Sequence, residues 1–130
     1  MANMQPFLLF DGKAEEAMSF YVSLFPDGKI NEIDRYGAKG PGKEGTIAKA
    51  SFTIAGQTIL CTDSLVSQPF TFTPAISMFV NCDSESQLRE LCKALAAGGA
   101  ELMPLDNYGF SRLFCWLNDS YGVSWQLNLP

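Results

Sequence analysis

The chain has 130 residues, of which 47% are hydrophobic and 18% charged, and its formal net charge at pH 7 is −5. A chain of this length suffices for one domain with a hydrophobic core. Nine Lys and Arg residues in an acidic chain do not supply the clustered positive charge that nucleic acids require, so no nucleic acid partner is expected. No apolar run approaches the roughly 20 residues that cross a bilayer, so no membrane partner is expected either.

The rarer residue types limit the chemistry further. The N-terminal residues 1–6 contain no basic region of a signal peptide, which predicts a cytoplasmic protein. Four cysteines without CxxC spacing then predict reduced, partly buried thiols. The chain has no histidine, which removes the commonest general base and the commonest transition-metal ligand. Any chemistry must use carboxylates, amides, hydroxyls, thiols or water.

The first half of the chain predicts a strand, a helix and three strands. Acidic Glu15 and Glu16 suit the first turn of the helix, and Pro26-Asp27-Gly28 ends it. Residues 37–45 contain four glycines and form the clearest loop. Ala55-Gly56 predicts a tight hairpin. The predicted elements are a strand at Phe7–Phe10, a helix from Lys13 to Phe25, and strands at Lys29–Tyr36, Thr46–Ile54 and Gln57–Asp63.

The second half repeats this order after Pro74. Asp83 or Ser84 can cap the second helix, whose apolar residues recur at helical spacing, and Gly98-Gly99 ends it. The predicted elements are a strand at Ala75–Cys82, a helix at Glu85–Ala97, and strands at Glu101–Leu105, Phe110–Leu117 and Val123–Leu129.

A repeat of this kind predicts the fold. Phe10-Asp11 and Val80-Asn81 fall at the same place in the two copies, 70 residues apart, and Gly56 and Gly122 match at an offset of 66. We expect a single α+β domain of residues 1–130, built from two βαβββ modules at about 5–65 and 75–130 around a shared cleft. A ferredoxin-like pair of βαβ units is the alternative, but it lacks the third successive strand of each half.

Four segments carry a resemblance that covers nearly the whole chain. They are FDGKAEEAMSFYVSLFPDGKI, GQTILCTDS, FTFTPAISMFVNCDS and YGFSRLFCWLNDSYGVSWQL. They resemble the PhnB-like branch of the vicinal oxygen chelate (glyoxalase/bleomycin resistance) superfamily, whose members often carry the description 3-demethylubiquinone-9 3-methyltransferase. The resemblance implies paired βαβββ modules, a curved mixed sheet around a ligand cleft, and a homodimer.

The resemblance also implies four metal-ligand positions on the first and last strands of the modules. In this chain they fall on or next to Gln5, near Ala75, at Leu60 or Cys61, and on Gln126. Two amides and one thiol match poorly the His, Cys and carboxylate ligands of catalytic metal sites. We therefore expect no tightly bound metal and no other cofactor. We do not expect methyl transfer, because the glycine-rich residues 37–45 lead from one strand to another instead of into a helix.

Alternation along the strands predicts which side chains line the cleft. Ser124 and Asn128 share a face with Gln126, while Trp125 and Leu127 face the helix. The same rule places Phe7 and Leu9 in the cleft after Gln5, and Ser77 and Phe79 after Ala75. A mostly apolar cleft with sparse amides and hydroxyls is typical of a small-molecule site, although the rings could equally fill a closed interior.

Four further residues lie where binding groups concentrate, at loops and strand ends. Arg35 could pair with a carboxylate or phosphate at the cleft mouth, and Asp63 follows the hairpin strand. Tyr108 and Phe110 lie in a loop that could act as a lid. Solvated charges, a rim salt bridge and turn geometry are the structural alternatives.

We therefore predict a metal-independent protein that binds a small, mostly apolar molecule and forms a homodimer. An enzyme is the second hypothesis, with either a metal at Gln5, Cys61 and Gln126 or a base at Asp63 assisted by Arg35. A dimeric interaction module with a filled core is the third. The predicted ligand-binding residues are Gln5, Phe7, Arg35, Cys61, Asp63, Ser77, Tyr108, Phe110 and Gln126.

Overall fold

The computed structural model describes all 130 residues and contains the predicted order of elements twice. Every predicted boundary lies within three residues of the observed one. The elements are β1 Phe7–Phe10, α1 Ala14–Ser23, β2 Lys29–Arg35, β3 Ile47–Ile54, β4 Gln57–Asp63, β5 Met78–Asn81, α2 Glu85–Ala96, β6 Ala100–Asp106, β7 Leu113–Asn118 and β8 Ser124–Leu129.

The chain forms two compact units, Met1–Pro69 and Phe70–Pro130, which we call the first and second unit. Each unit contains one helix and one mixed four-stranded sheet, as the βαβββ prediction requires. The strand order is β1-β4-β3-β2 in the first unit and β5-β8-β7-β6 in the second. The parallel neighbours are β1 with β4 and β5 with β8, and all other neighbouring strands are antiparallel.

In each unit the helix covers one face of the sheet and leaves the other without a helix. In the first unit, buried helix residues such as Met18 and Tyr21 belong to the same core as Leu8, Phe52 and Ile59 of the sheet. The core of the second unit is formed by Leu88, Leu91 and Leu95 of α2 with Leu117, Trp125 and Leu127 of the sheet. Alternation along the strands leaves the intervening side chains on the second face.

The local chemistry explains where the elements begin and end. The Ser84 side chain accepts a hydrogen bond from the Gln87 backbone N–H and caps α2, one of the two predicted caps. The β3–β4 hairpin turns through Ala55 and Gly56, which both have positive φ angles, 47° and 79°. That conformation matches the primed turns that two-residue hairpins favour. With 10 and 12 residues, neither helix is long and apolar enough to cross a membrane.

The register of the strands corrects the predicted repeat. Phe7 pairs with Leu60, and Phe79 pairs with Gln126. Leu60 and Gln126 each lie four residues after the hairpin glycine of their unit, so the offset of 66 holds there. Phe7 therefore corresponds to Phe79 at an offset of 72, and the predicted match of Phe10-Asp11 with Val80-Asn81 is wrong by two residues. The prediction matched Phe10, where the first apolar run ends, with Val80. The strand β5 continues one residue past Val80, to Asn81 on the helix-free face.

One edge strand of each sheet is irregular. The pairing of β2 with β3 shifts register between Ile30 and Glu32 and again between Asp34 and Arg35. The pairing of β6 with β7 shifts between Glu101 and Met103 and again before Asp106. The other edges are β1 and β5, with four residues each. Each sheet is thus bordered by one irregular strand and one short strand.

Candidate functional site

The helix-free face of the second unit combines aromatic rings with amides and hydroxyls. Because Trp125, Leu127 and Leu117 face the helix, alternation and strand pairing place the intervening residues together on the other face. On β5, β7 and β8 the helix-free face consists of Ser77, Phe79, Asn81, Phe114, Trp116, Asn118, Ser124, Gln126 and Asn128, and the edge strand β6 adds Met103 and Asp106, which pair with Trp116 and Phe114. The predicted cleft residues Ser77, Phe79 and Gln126 are therefore neighbours in one sheet.

One group of hydrogen bonds joins the polar residues at one end of this face. The Trp116 indole N–H donates to Ser124 Oγ at 2.9 Å, and Ser124 Oγ lies 2.8 Å from Ser77 Oγ. Gln126 Nε2 donates to Ser77 Oγ at 3.3 Å. Ser124 is buried, whereas Gln126 and Ser77 are half-buried. The group holds the Gln126 amide in place and leaves its Oε1 atom as an acceptor on the helix-free face.

A second group of hydrogen bonds runs along the other end of the face. Ser111 Oγ donates to Asn128 Oδ1 at 2.5 Å, and Asn128 Nδ2 donates to Asn81 Oδ1 at 3.0 Å. Asn81 is exposed, so its Nδ2 atom can still donate to a further acceptor. The two groups present one amide acceptor and one amide donor on neighbouring strands, because Gln126 pairs with Phe79 and Asn128 pairs with Asn81.

Four rings form a cluster beside these amides. The Phe114 ring centroid lies 4.9 Å from that of Phe110, 6.1 Å from that of Tyr108 and 6.5 Å from that of Phe79. These distances are those of attractive ring pairs. Phe114 is buried, but Phe79 and Phe110 remain 55% and 63% exposed. The cluster therefore offers two accessible rings supported by a buried one.

The loop that carries Tyr108 and Phe110 is held by local hydrogen bonds. The Tyr108 hydroxyl donates to the Pro104 carbonyl, and the Gly109 N–H donates to Asn107 Oδ1 at 2.8 Å. Burial raises the pKa of Tyr108, and Asp106 raises it further. Tyr108 is thus a neutral hydroxyl at physiological pH, and the acidic residue at the edge of the helix-free face is the exposed Asp106 of β6, which pairs with Phe114.

The first unit presents a different surface at the corresponding positions. Phe7 corresponds to Phe79 and is 57% exposed, and Leu60 takes the place of Gln126. Gln5, exposed just before β1, corresponds to Ser77. The prediction that placed its counterpart near Ala75 is therefore two residues off, for the same reason as the repeat offset.

Cys61 lies on the opposite side of its sheet from Leu60, facing α1. It is fully buried, with Sγ 3.9 Å from Met18 Sδ. Burial raises the pKa of the Cys61 thiol to about 11, and the charge of Asp63 contributes. All four cysteines are free and buried, as predicted. The structure therefore does not bring Cys61 together with Gln5 on one face.

Asp63 and Arg35 also have structural partners in the first unit. The Asp63 carboxylate is 3% exposed and accepts hydrogen bonds from the Ala14 and Ile47 backbone N–H groups, each at 2.9 Å. Arg35 forms a bidentate ion pair with Glu15 at 2.7 and 2.6 Å. Hydrogen bonding to Arg35 lowers the pKa of Glu15. The two residues join elements of the first unit and do not belong to the aromatic and amide cluster.

The divalent-metal ligand set that the resemblance implies does not fit these residues. By register, its four positions are Gln5, Leu60, Ser77 and Gln126. These offer two amides, one hydroxyl and a hydrocarbon, without a carboxylate, imidazole or thiolate. No group of three His, Cys, Asp or Glu side chains in the chain is arranged to hold a metal ion. These residues therefore do not form a metal site.

The sequence predictions placed neither Asn81 nor Phe114 nor Trp116 in the cleft. Asn81, Phe114 and Trp116 join the helix-free face through the pairing of β5 and β7 with β8. Strand alternation in β7 would have indicated Phe114 and Trp116, because they alternate with Cys115 and Leu117. Continuing the alternation of Ser77 and Phe79 along β5 would have indicated Asn81 in the same way.

Comparisons with known proteins cover nearly the whole chain. The family model described as 3-demethylubiquinone-9 3-methyltransferase matches residues 2–128. A PhnB protein from Bacillus cereus is 53% identical with a TM-score of 0.96, and the match covers 99% of this chain and 100% of that chain. A Pseudomonas aeruginosa protein is 26% identical with a TM-score of 0.86, covering 99% and 98% of the two chains.

More distant matches concern the fold alone. A glyoxylase/bleomycin resistance protein/dioxygenase domain from Frankia has a TM-score of 0.63 at 17% identity, over 99% of this chain and 97% of that chain. Curated proteins gave no match. The α+β fold with two βαβββ modules is thus that of the glyoxalase/bleomycin resistance superfamily.

Proposed function

The chain belongs to the 3-demethylubiquinone-9 3-methyltransferase family, a PhnB-like group with the glyoxalase/bleomycin resistance fold, and on that premise we propose that it binds a small, mostly apolar molecule. The binding surface is the helix-free face of the second unit together with Tyr108 and Phe110. One observation carries the proposal: the exposed rings of Phe79 and Phe110 lie beside amides that hydrogen bonds hold in place. Ligand sites combine apolar walls with a few oriented polar groups in this way.

Neither metal-assisted catalysis nor methyl transfer is part of this proposal. The positions that the resemblance implies for metal ligands carry neither a carboxylate nor an imidazole in this chain. The glycine-rich residues 37–45 join β2 to its antiparallel neighbour β3, whereas nucleotide-binding glycine loops join a strand to a helix. No observation on the residues of the face favours a reaction over binding.

The two tryptophans provide the test. Trp116 lies on the helix-free face, while Trp125 is buried on the other face and donates its indole N–H to Asp119 at 2.9 Å. The experiment titrates uniformly ¹⁵N-labelled protein with a library of one- and two-ring fragments. We expect binders to shift the indole N–H signal of Trp116 and to leave that of Trp125 unchanged. A library without a single fragment that moves the Trp116 signal contradicts the proposal.

Phe7 supplies a matched control for the same titration. Phe79→Ala removes an exposed ring from the proposed site, and Phe7→Ala removes the corresponding ring of the first unit. Losing one aromatic contact weakens binding by about tenfold, since such contacts contribute on the order of 1 kcal/mol. We expect this loss for Phe79→Ala and none for Phe7→Ala. Equal effects of the two variants would place the ligand elsewhere.

We also propose that the protein acts as a cytoplasmic homodimer. Exposed apolar side chains such as Phe7 and Ile76, together with the low charged fraction, support a covered surface. Native mass spectrometry of untagged protein, purified without chelators, tests this directly. We expect twice the mass of one chain, with an organic ligand or none. A monomer at micromolar concentration contradicts the dimer, and one divalent ion per chain contradicts metal-free binding.

A further inference from the structure

On strands β5, β7 and β8, the helix-free face of the second unit carries no ionisable side chain. The residues there are aromatic rings, amides and hydroxyls, and the neighbouring Tyr108 is a neutral phenol. The edge strand β6 adds Asp106, which pairs with Phe114, is exposed and accepts from the Asn107 N–H at 2.7 Å. An anion would lose water on this face without gaining an ionic partner, which is costly, and a cation would gain only the solvent-exposed Asp106 carboxylate, whose attraction is worth little. The face therefore selects against both anions and cations.

The hydrogen bonds also determine which polar groups a ligand needs. In one group, Gln126 donates to Ser77, so Gln126 Oε1 remains to accept. In the other, the bonds run from Ser111 through Asn128 to Asn81, so Asn81 Nδ2 remains to donate. A ligand that matches both must donate to Gln126 and accept from Asn81. A carboxamide, lactam or imide edge carries an N–H and a carbonyl side by side and is uncharged at neutral pH.

The rings determine the rest of the ligand's shape. Phe79 lies in β5 between Ser77 and Asn81 on the same face, and it pairs with Gln126 on β8. An aromatic ring joined to the amide edge would therefore stack on the exposed Phe79 ring while its edge reaches the amides. Resting on the binding site proposed above, we infer that the natural ligand is an uncharged planar ring compound with an amide-type edge.

Three probes of the same shape and different charge test this inference. They are 2-naphthamide, which is neutral, 2-naphthoate, an anion, and 2-naphthamidine, a cation at neutral pH. The full-length protein is titrated with each, and the shift of the Trp116 indole N–H gives the dissociation constant. We expect 2-naphthamide to bind at least about tenfold more tightly than either ion, as one unpaired desolvated charge requires.

Each other outcome overturns the inference in a recognisable way. If either ion binds at the same signals as tightly as 2-naphthamide, the neutral class is wrong and the site stands. If none of the three probes moves the Trp116 signal, while other fragments of the library do, the amide-type class is wrong. If no compound moves it, the proposed site fails as well.

Variants of Gln126 add a readout that a purely structural role would not produce. Gln126→Glu places a carboxylate on the face, so we expect the order to reverse in favour of 2-naphthamidine. Gln126→Leu introduces the residue that the first unit has at Leu60, and we expect a loss of about fivefold for 2-naphthamide, as for one hydrogen bond. Gln57→Leu, an exposed amide of the first unit, is the control and should change nothing. An unchanged probe order in Gln126→Glu contradicts the inference.

Discussion

The two units share one backbone plan but differ in what they place on the helix-free face. At corresponding positions the first unit has Leu9, Leu60 and Thr62, whereas the second has Asn81, Gln126 and Asn128. The helix-covered faces remain mostly apolar in both. Burial against a helix requires apolar side chains in each copy, but the other face is under no such requirement. The repeat thus determines the backbone frame, and only the second copy carries amides on its helix-free face.

Each unit also buries one carboxylate, and this allows a direct comparison. Asp63 accepts from two backbone N–H groups, at the starts of α1 and β3. Asp119 accepts from the Tyr121 and Val123 N–H groups and from the Trp125 indole. In both units the carboxylate satisfies donors that would otherwise lack partners in the interior, although it does so at different places in the repeat.

Removing either of these carboxylates should destabilise the protein most. Asp63→Ala and Asp119→Ala each leave at least two donors unpaired, which costs roughly 3 kcal/mol of unfolding free energy. Urea denaturation monitored by circular dichroism measures it. Asp34→Ala, at an exposed position of β2, is the control and should cost less than about 0.5 kcal/mol. A loss of unfolding free energy below about 1 kcal/mol for Asp63→Ala would contradict its structural role and favour its role as a base.

A smaller effect is expected from buried thiols at alkaline pH. Burial raises the pKa of Cys61 in the first unit and of Cys82 in the second from 9.0 to about 11. At a pH between these two pKa values, the thiols are ionised in the unfolded chain but remain protonated in the folded chain. The free energy of unfolding should therefore be unaffected by these thiols below pH 9 and fall as the pH rises from 9 to 11.

Denaturation at pH 8 and at pH 10.5 checks this expectation. Cys61→Ala and Cys82→Ala should each reduce the loss of stability between the two pH values relative to the unmodified protein. Comparing the pH difference within each variant cancels the cost of the smaller side chain. Variants that lose as much stability as the original chain would show that the thiols are not responsible.

The Ser124 hydroxyl of the proposed site corresponds to a hydroxyl of the first unit that makes fewer hydrogen bonds. Ser124→Ala removes the partner of the Trp116 indole, which we expect to cost about 1 to 2 kcal/mol and to change Trp116 fluorescence. The corresponding Thr58 in the first unit bonds only to the Thr53 hydroxyl, at 3.2 Å, and is half-buried. Thr58→Ala should cost about 0.5 kcal/mol. Equal costs in urea denaturation would contradict the greater importance of the hydroxyl in the second unit.

The smallest expected effect is a gain at the first hairpin. Ala55 has a positive φ of 47°, which Asn tolerates better than Ala. Ala55→Asn should raise the unfolding free energy by about 0.5 kcal/mol. Gly56→Ala, at a φ of 79°, should lower it by about 1 kcal/mol. Thermal denaturation of the two variants measures whether each one gains or loses stability. If Ala55→Asn lowers the stability, the turn needs a small side chain at this position.

Much of the fold was predictable because helix and strand periods are local properties of the sequence. The positions of the site residues were less so, since they depend on register. The choice between Leu60 and Cys61 shows why: one residue along a strand changes the face, and the structure places Cys61 against the helix. The role of Asp63 was hidden because its partners, the Ala14 and Ile47 N–H groups, are distant in sequence. Arg35 forms a salt bridge, which was the structural alternative.

The irregular edge strands have a consequence for association. An unpaired strand edge is a template to which another chain can add. In β2, register shifts and charged residues such as Glu32 and Arg35 interrupt that template, and in β6 register shifts and Pro104 do the same. The regular edges, β1 and β5, extend for only four residues. Because the fold contains two sheets, it has two sets of edges at which chains could pair and aggregate. In each sheet the irregular edge strand, β2 or β6, opposes that pairing.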